Sequence, residues 1–181
     1  ENIYEYADRA LHEFFTQAAT APWFKNTVFV ILGDHGQRFD PLYEVPLSYH
    51  HIPLIIHGPG ASTHRTHHGF GTQVDIGETI LGMLRLPHVN NTLGSDLLRT
   101  EQPCAYFCSD DLMGAVNERF FWVRSGGIER LYDYPTRSTV DVSARYPGVM
   151  DSLRTRTHSM VQAAQWMVDE KMVGEPVLLL P

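Results

Sequence analysis

The stretch Thr27-Val28-Phe29-Val30-Ile31-Leu32-Gly33-Asp34-His35-Gly36 decides how this chain is read. Its first six residues are all apolar or β-branched and a glycine closes them, the pattern of a strand hidden on both faces. A parallel sheet covered by helices is the usual home for such a strand, and ligands bind beyond its carboxyl end. This strand ends in an acid and an imidazole. Carboxylate and neutral imidazole are both good ligands for first-row metals, and the flanking glycines let the backbone turn sharply so that adjacent side chains converge. The dipeptide alone also fits a plain strand-to-loop turn, with Asp34 capping the next element and His35 a solvated neighbour.

Working outward, seven of the ten histidines fall between His35 and His68, namely His35, His50, His51, His57, His64, His67 and His68. Such density marks either a metal or anion site or an exposed, pH-sensitive loop. Residues 37–50 mix Pro41, Pro46, Asp40 and Ser48 with Tyr43 and Tyr49, the make-up of a functional loop rather than a linker. Pro53-Leu54-Ile55-Ile56-His57 reads as a second buried strand, closed by Gly58-Pro59-Gly60.

Upstream, Ile3, Ala7, Leu11, Phe14, Phe15 and Ala18 recur at helical spacing, which predicts an amphipathic helix over 2–18. Downstream, Asp75 and Glu78 are placed as a capping box ahead of the apolar stripe Ile76, Ile80, Leu81 and Leu84. Strands are expected over Ala105 to Cys108, Phe120 to Val123 and Ile128 to Tyr134, with a turn at Ser125-Gly126-Gly127. From Pro147-Gly148 a helical stripe through Met150, Leu153, Thr157, Met160, Val161, Ala164, Met167, Val168 and Met172 is the strongest periodic signal, and its methionines read as core.

Length and composition bound the rest. A chain of 181 residues can bury one good core, and 43% hydrophobic with 19% charged residues is ordinary for a globular protein. The net charge of −7, without a stripe of Lys and Arg, argues against nucleic-acid binding. No apolar run is long enough to cross a bilayer. In a strand Cys104 and Cys108 would stand about 13 Å apart, too far for a disulfide, so free thiols are expected.

Several of these segments, in order along nearly the whole chain, resemble one family: the alkaline phosphatase superfamily, within it the sulfatase and lipoteichoic acid synthase branch. Pro22-Trp23-Phe24, Asn26-Thr27 and Gly33-Asp34-His35-Gly36 look like its second metal-ligand segment. His51-Ile52-Pro53-Leu54-Ile55-Ile56-His57-Gly58-Pro59-Gly60 looks like its following strand, and Gly71-Thr72-Gln73-Val74-Asp75-Ile76 with Glu78-Thr79-Ile80-Leu81 like a later helix start. Leu93-Gly94-Ser95-Asp96-Leu97-Leu98 and Arg130-Leu131-Tyr132-Asp133-Tyr134 match further landmarks. Glu78 departs from the proline that is usual there.

The resemblance implies an α/β fold, an alkaline phosphatase-like partial domain. Its mostly parallel sheet is flanked by helices, and a small antiparallel C-terminal sheet and a long C-terminal helix follow. Residues 1–100 would be the C-terminal part of the metal-site core, and 101–181 the small sheet and helix of the same domain. It implies that Asp34 and His35 bind a divalent metal (manganese, zinc, calcium or magnesium) and that the nucleophile and further acidic ligands lie upstream. The missing N-terminal part of its own catalytic domain is then a partner, the isolated chain is inactive, and the surface left along the first strands is apolar and supports a homodimer. His50, His51 and Arg38 are candidate contacts for the substrate anion, against a reading of the histidines as loop residues without a role. His67 and His68 are candidates for a second metal, against a solvent-exposed loop.

The implied reaction is phosphoglycerol transfer on phosphodiesters by a membrane-anchored, extracytoplasmic parent, or hydrolysis of sulfate esters by a periplasmic or secreted one. Sulfatases usually place a lysine after the metal pair, and here no lysine occurs between Lys25 and Lys171, which favours the transferase. A non-catalytic module capturing metal or an anionic polymer is a further alternative, and would need a complete metal shell within this chain.

Overall fold

The computed structural model describes residues 2–39, 42–59, 61, 66–109 and 111–173. His64, Asp40, Pro41 and Gly60 lie outside the described residues. The chain divides into two compact units, 1–34 with 52–65, and 35–51 with 66–181.

In the first unit, helix α1 (Ile3–Ala18) follows the apolar spacing. It starts where Asn2 accepts a hydrogen bond from the Tyr4 amide at 3.1 Å while Glu5 accepts from the Asn2 amide at 3.3 Å, a reciprocal cap. Phe15 of this helix meets Phe24, Phe29 and His57 edge-on or tilted at 5.0–6.4 Å, so His57 belongs to an aromatic cluster. The two apolar runs form strands β1 (Phe29–Leu32) and β2 (Leu54–His57).

They pair antiparallel, Phe29 opposite His57 and Leu32 opposite Leu54. This corrects the expectation of a mostly parallel sheet: every strand ladder among the described residues is antiparallel. A continuous apolar run reports that both faces are to be covered and is silent on direction. Among the described residues the segment joining β1 to β2 carries a four-residue helix, not the long crossover helix usual between parallel strands. Nor are the strands fully covered, since Leu32, Leu54 and Ile55 are exposed.

The second unit is built on a four-stranded meander, β3 (Ala105–Ser109), β4 (Leu112–Val116), β5 (Phe120–Ser125) and β6 (Ile128–Asp133). Gly126 and Gly127, with φ of 56° and 80°, make the two-residue hairpin between β5 and β6 that only positive φ allows. Strand β4 has no counterpart in the sequence reading. Its Leu-Met-Gly-Ala-Val run is poor in strand-favouring side chains, and Gly114 is there because a Cβ would lie 2.3 Å from the Phe107 ring.

Strand β5 is buried on both faces and sets the layering. Phe120 and Trp122 face a core with Ala115, Leu131 and Leu153, the last from helix α4 (Pro147–Asp169). Phe121 and Val123 face the opposite way with Tyr132, and there the cover is not a helix layer but Tyr43, Val45 and Leu47 of the loop 42–51. Of the helical stripe on α4, only Leu153 and Thr157 are buried. Met160 and Met167 stay half-buried, and Trp166 and Val168 are exposed, so reading the methionines as core was too strong beyond the second turn.

Helix α3 (Asp75–Leu84) also differs from expectation at its start. Asp75 is its first helical residue, not its cap, and Glu78 turns to His88 instead of back to the helix end. Cys104 is buried and Cys108 exposed, both free thiols as expected. Among the described residues no helix is long and apolar enough to cross a membrane.

Candidate metal centre

Asp34 is the last residue of the first unit and His35 the first of the second. Both side chains are exposed. The imidazole of His35 is the better defined of the two. Its Nδ1 stands 2.8 Å from the Gly36 carbonyl oxygen. A carbonyl only accepts, so Nδ1 carries the proton and the lone pair falls on Nε2, the arrangement that metal-bound histidines use.

The ring plane is set by Tyr49, which stacks on it at 4.7 Å between centroids and 23° between planes. Tyr49 lies on the short helix α2 (Leu47–His50), and the Gly36 amide donates to the Tyr49 carbonyl at 2.7 Å. Glycine at 36 permits that approach: a Cβ there would sit 2.0 Å from the Ser48 carbonyl oxygen. The guanidinium of Arg38 lies over the same Tyr49 ring at 4.6 Å.

Next along α2, His50 stacks face to face on Phe107 at 3.7 Å and 10°. Burial lowers its pKa, and the charge of Arg38 lowers it further, so His50 is a neutral imidazole at neutral pH. His35, Arg38 and His50 are therefore gathered around Tyr49. Tyr49 itself was legible only as one aromatic of a functional loop. His51 caps the C-terminal end of α2 and is exposed, as are His67 and His68.

This loop is clamped to the sheet. Tyr43 packs on Tyr132 and Phe121 at 4.6 and 5.6 Å. Tyr132 donates its hydroxyl to the Glu44 carboxylate at 2.9 and 3.0 Å, and Arg130 pairs with the same group. Burial first, then the bonded Glu44, pushes the Tyr132 phenol up to about 12, so it remains a donor at any physiological pH. No sequence signal singled out Glu44.

A second buried polar node accounts for the Asp75 motif. The Asp75 carboxylate accepts from the Thr72 amide (2.7 Å), the Thr72 hydroxyl (2.9 Å) and the Ser95 amide (2.8 Å). Thr79 donates to the Asp75 carbonyl at 2.7 Å and accepts from the Leu97 amide at 3.0 Å. Asp75 and Thr79 thus fasten residues 94–97 to α3, a structural task.

Residues 2–86 match the sulfatase family model. Asp34, His35, Arg38, His50, His51, His67, His68 and Asp75 all fall within that match. The fold resembles a crystal structure of a protein in the alkaline phosphatase superfamily from Vibrio parahaemolyticus, with a TM-score of 0.73 and 22% identity. That comparison covers 94% of this chain and 42% of the other, so the chain spans less than half the length of the protein it matches. The α/β fold, the small C-terminal antiparallel sheet and the long terminal helix are as expected.

The donor set suits a divalent metal in kind but not in number. Carboxylate plus Nε2 imidazole is a fitting pair for zinc or manganese, yet a zinc site takes at least three protein ligands. Among the described residues no group of three or more His, Cys, Asp and Glu side chains could hold an ion.

Proposed function

We propose that this chain is the C-terminal part of the catalytic domain of a metal-dependent enzyme of the sulfatase family that transfers or hydrolyses phosphodiester or sulfate esters. The observation that carries the reading is the Asp34-His35 pair inside the sulfatase match, with the His35 tautomer set to offer Nε2. Asp34 and His35 would be two of the metal's ligands. The remaining ligands and the nucleophile belong to an upstream part, in keeping with the 42% coverage of the structural relative.

The metal, when bound, polarises the ester and lowers the pKa of the attacking hydroxyl. This chain's residues then divide the anion between them. Arg38 supplies fixed positive charge, and its planar fork suits two oxygens of a phosphate or sulfate. His50, held neutral by burial and by Arg38, contributes a hydrogen bond rather than a charge. His51, exposed beside it, is a further contact.

Within this class we favour phosphoglycerol transfer by an extracytoplasmic, membrane-anchored parent. The absence of a lysine between Lys25 and Lys171 supports it, with Arg38 taking the anion contact. Sulfate-ester hydrolysis is the alternative. A self-contained metal-capturing module is disfavoured, since it calls for a complete shell and the described residues hold none.

The test uses the full-length protein with manganese or zinc, assayed on a chromogenic phosphodiester and on a chromogenic sulfate ester. Turnover of the phosphodiester, lost in Asp34→Ala and in His35→Ala, is expected. Preference for the sulfate ester would replace the transferase by a sulfatase. Robust metal-dependent turnover by the isolated 181-residue chain would overturn the proposal that essential groups lie elsewhere.

A further inference from the structure

We infer that Tyr49 is the positioning residue of the metal centre, an aromatic plate that fixes the His35 ring so that Nε2 is presented to the ion. The inference rests on the metal-ligand reading of His35 and extends it to a residue that neither the sequence nor the family match assigns.

One direct contact and a bridge through Gly36 tie the two residues. The rings stack at 4.7 Å and 23°. The peptide after His35 is hydrogen-bonded to Tyr49, the Gly36 amide donating to the Tyr49 carbonyl at 2.7 Å. The carbonyl of that same Gly36 receives the Nδ1 proton of His35 at 2.8 Å. The torsion that turns an imidazole about its Cβ–Cγ bond is broad and roughly two-fold. The Nδ1 bond to Gly36 selects one of the two flips, and the stacked plate limits the swing of the ring plane about it.

Tyr49 is itself held. Its amide donates to the Pro46 carbonyl at 3.0 Å, the His50 ring meets it edge-on at 5.3 Å, and Leu47 at the start of α2 packs into the Phe121, Val123 and Tyr132 cluster. Rigidity therefore passes from the sheet through α2 to the ring. Arg38 over the same ring at 4.6 Å places the anion-binding charge on the plate that orients the metal ligand. One side chain sets the relation between the two.

The hydroxyl has no part in this role, so the ring alone is required. In long-range proton–nitrogen spectra of the neutral histidines, His35 is expected as the Nδ1–H tautomer in the parent and in Tyr49→Phe. In Tyr49→Leu it should move to the mixture of a solvated imidazole, while α3 and sheet resonances stay in place. Zinc titrated into the full-length protein should perturb His35 Nε2, and Tyr49→Leu should weaken binding roughly 10- to 100-fold, as loss of an orienting partner does. Tyr49→Phe should bind as the parent does.

Tyr49→Leu with parental tautomer and parental affinity would overturn the positioning role while leaving the metal reading intact. If zinc leaves His35 Nε2 unmoved in the parent and His35→Ala binds zinc as the parent does, the metal reading fails, and the role of Tyr49 with it. Because Tyr49→Phe keeps the plate, a misfolded Tyr49→Leu leaves the inference open to refutation: a parental tautomer lost in Tyr49→Phe would sink it.

Discussion

At the scale of single residues, position 36 carries the sharpest constraint. Any side chain there meets the Ser48 carbonyl at 2.0 Å and the His51 carbonyl at 3.0 Å, both backbone atoms that cannot swing aside. Gly36→Ala must therefore push α2 away from the Asp34-His35 turn. A loss of roughly 1–3 kcal/mol in urea unfolding is expected, the cost of overpacking, together with loss of the His35 Nδ1–H signature. Unchanged stability would mean that the turn is looser than its contacts imply. Glu78 and His88 make a second constraint. Glu78 is buried, and His88 lies 2.6 Å from it through Nε2 while Nδ1 faces the Leu86 carbonyl at 2.9 Å. The backbone bond to Leu86 first, and Glu78 next, raise the His88 pKa above its ordinary 6.5. The folded form thus holds the proton more tightly than the unfolded chain. The stabilisation is complete below about pH 6.5 and is lost as pH rises through the folded value. Comparing thermal midpoints, His88→Ala should cost more at about pH 5.5 than at about pH 9. A deficit that grows with pH would reverse the assignment.

At the scale of elements, the Asp75 node shows why a motif can be legible while its purpose is not. The segment Gly71 to Ile76 stood out in the sequence, yet as a helix cap it was misplaced: the carboxylate reaches Ser95, twenty residues away in sequence, and no local pattern reports that. Asp75→Ala leaves three donors without their acceptor and should cost about 3 kcal/mol, whereas Thr79→Val, which strips the Leu97 amide of its partner, should cost about 1–2 kcal/mol. Equal and negligible losses in chemical denaturation would move the node from structural glue to surface decoration. The same limit explains the other departures. Apolar period and turn glycines located α1, β1, β2, β5, β6 and α4, because each carries its signal within itself. The pairing direction of β1 and β2, and the existence of β4, depend on partners distant in sequence. At the candidate site, Asp34 and His35 were legible because an apolar strand ending in an acid and an imidazole is a local pattern. Tyr49 and Glu44 were not, because their roles consist in what they touch.

At the scale of the molecule, the first unit leaves many of its apolar residues uncovered. The stripe of α1 that should face a core is largely exposed, with Ile3 at 76% and Leu11 and Phe14 also open, and on β2 Ile55 is 53% exposed. Among the described residues the two four-residue strands pair only with each other, an arrangement that is marginal in water without further strands or a covering helix. If the chain is, as proposed, part of a longer catalytic domain, elements from the rest of that domain would cover this surface. In the 181-residue chain alone the open edges and the apolar stripe should pair with a second copy. Light scattering over a concentration series is expected to show mass rising toward a dimer. Ile55→Glu, which sets a charge on β2, should return the chain to monomer without disturbing the meander of the second unit, whose cores lie elsewhere. A chain that stays monomeric at every concentration would show that the unit is stable with its apolar stripe in water. The proposal of an upstream cover would then lose its support from this surface.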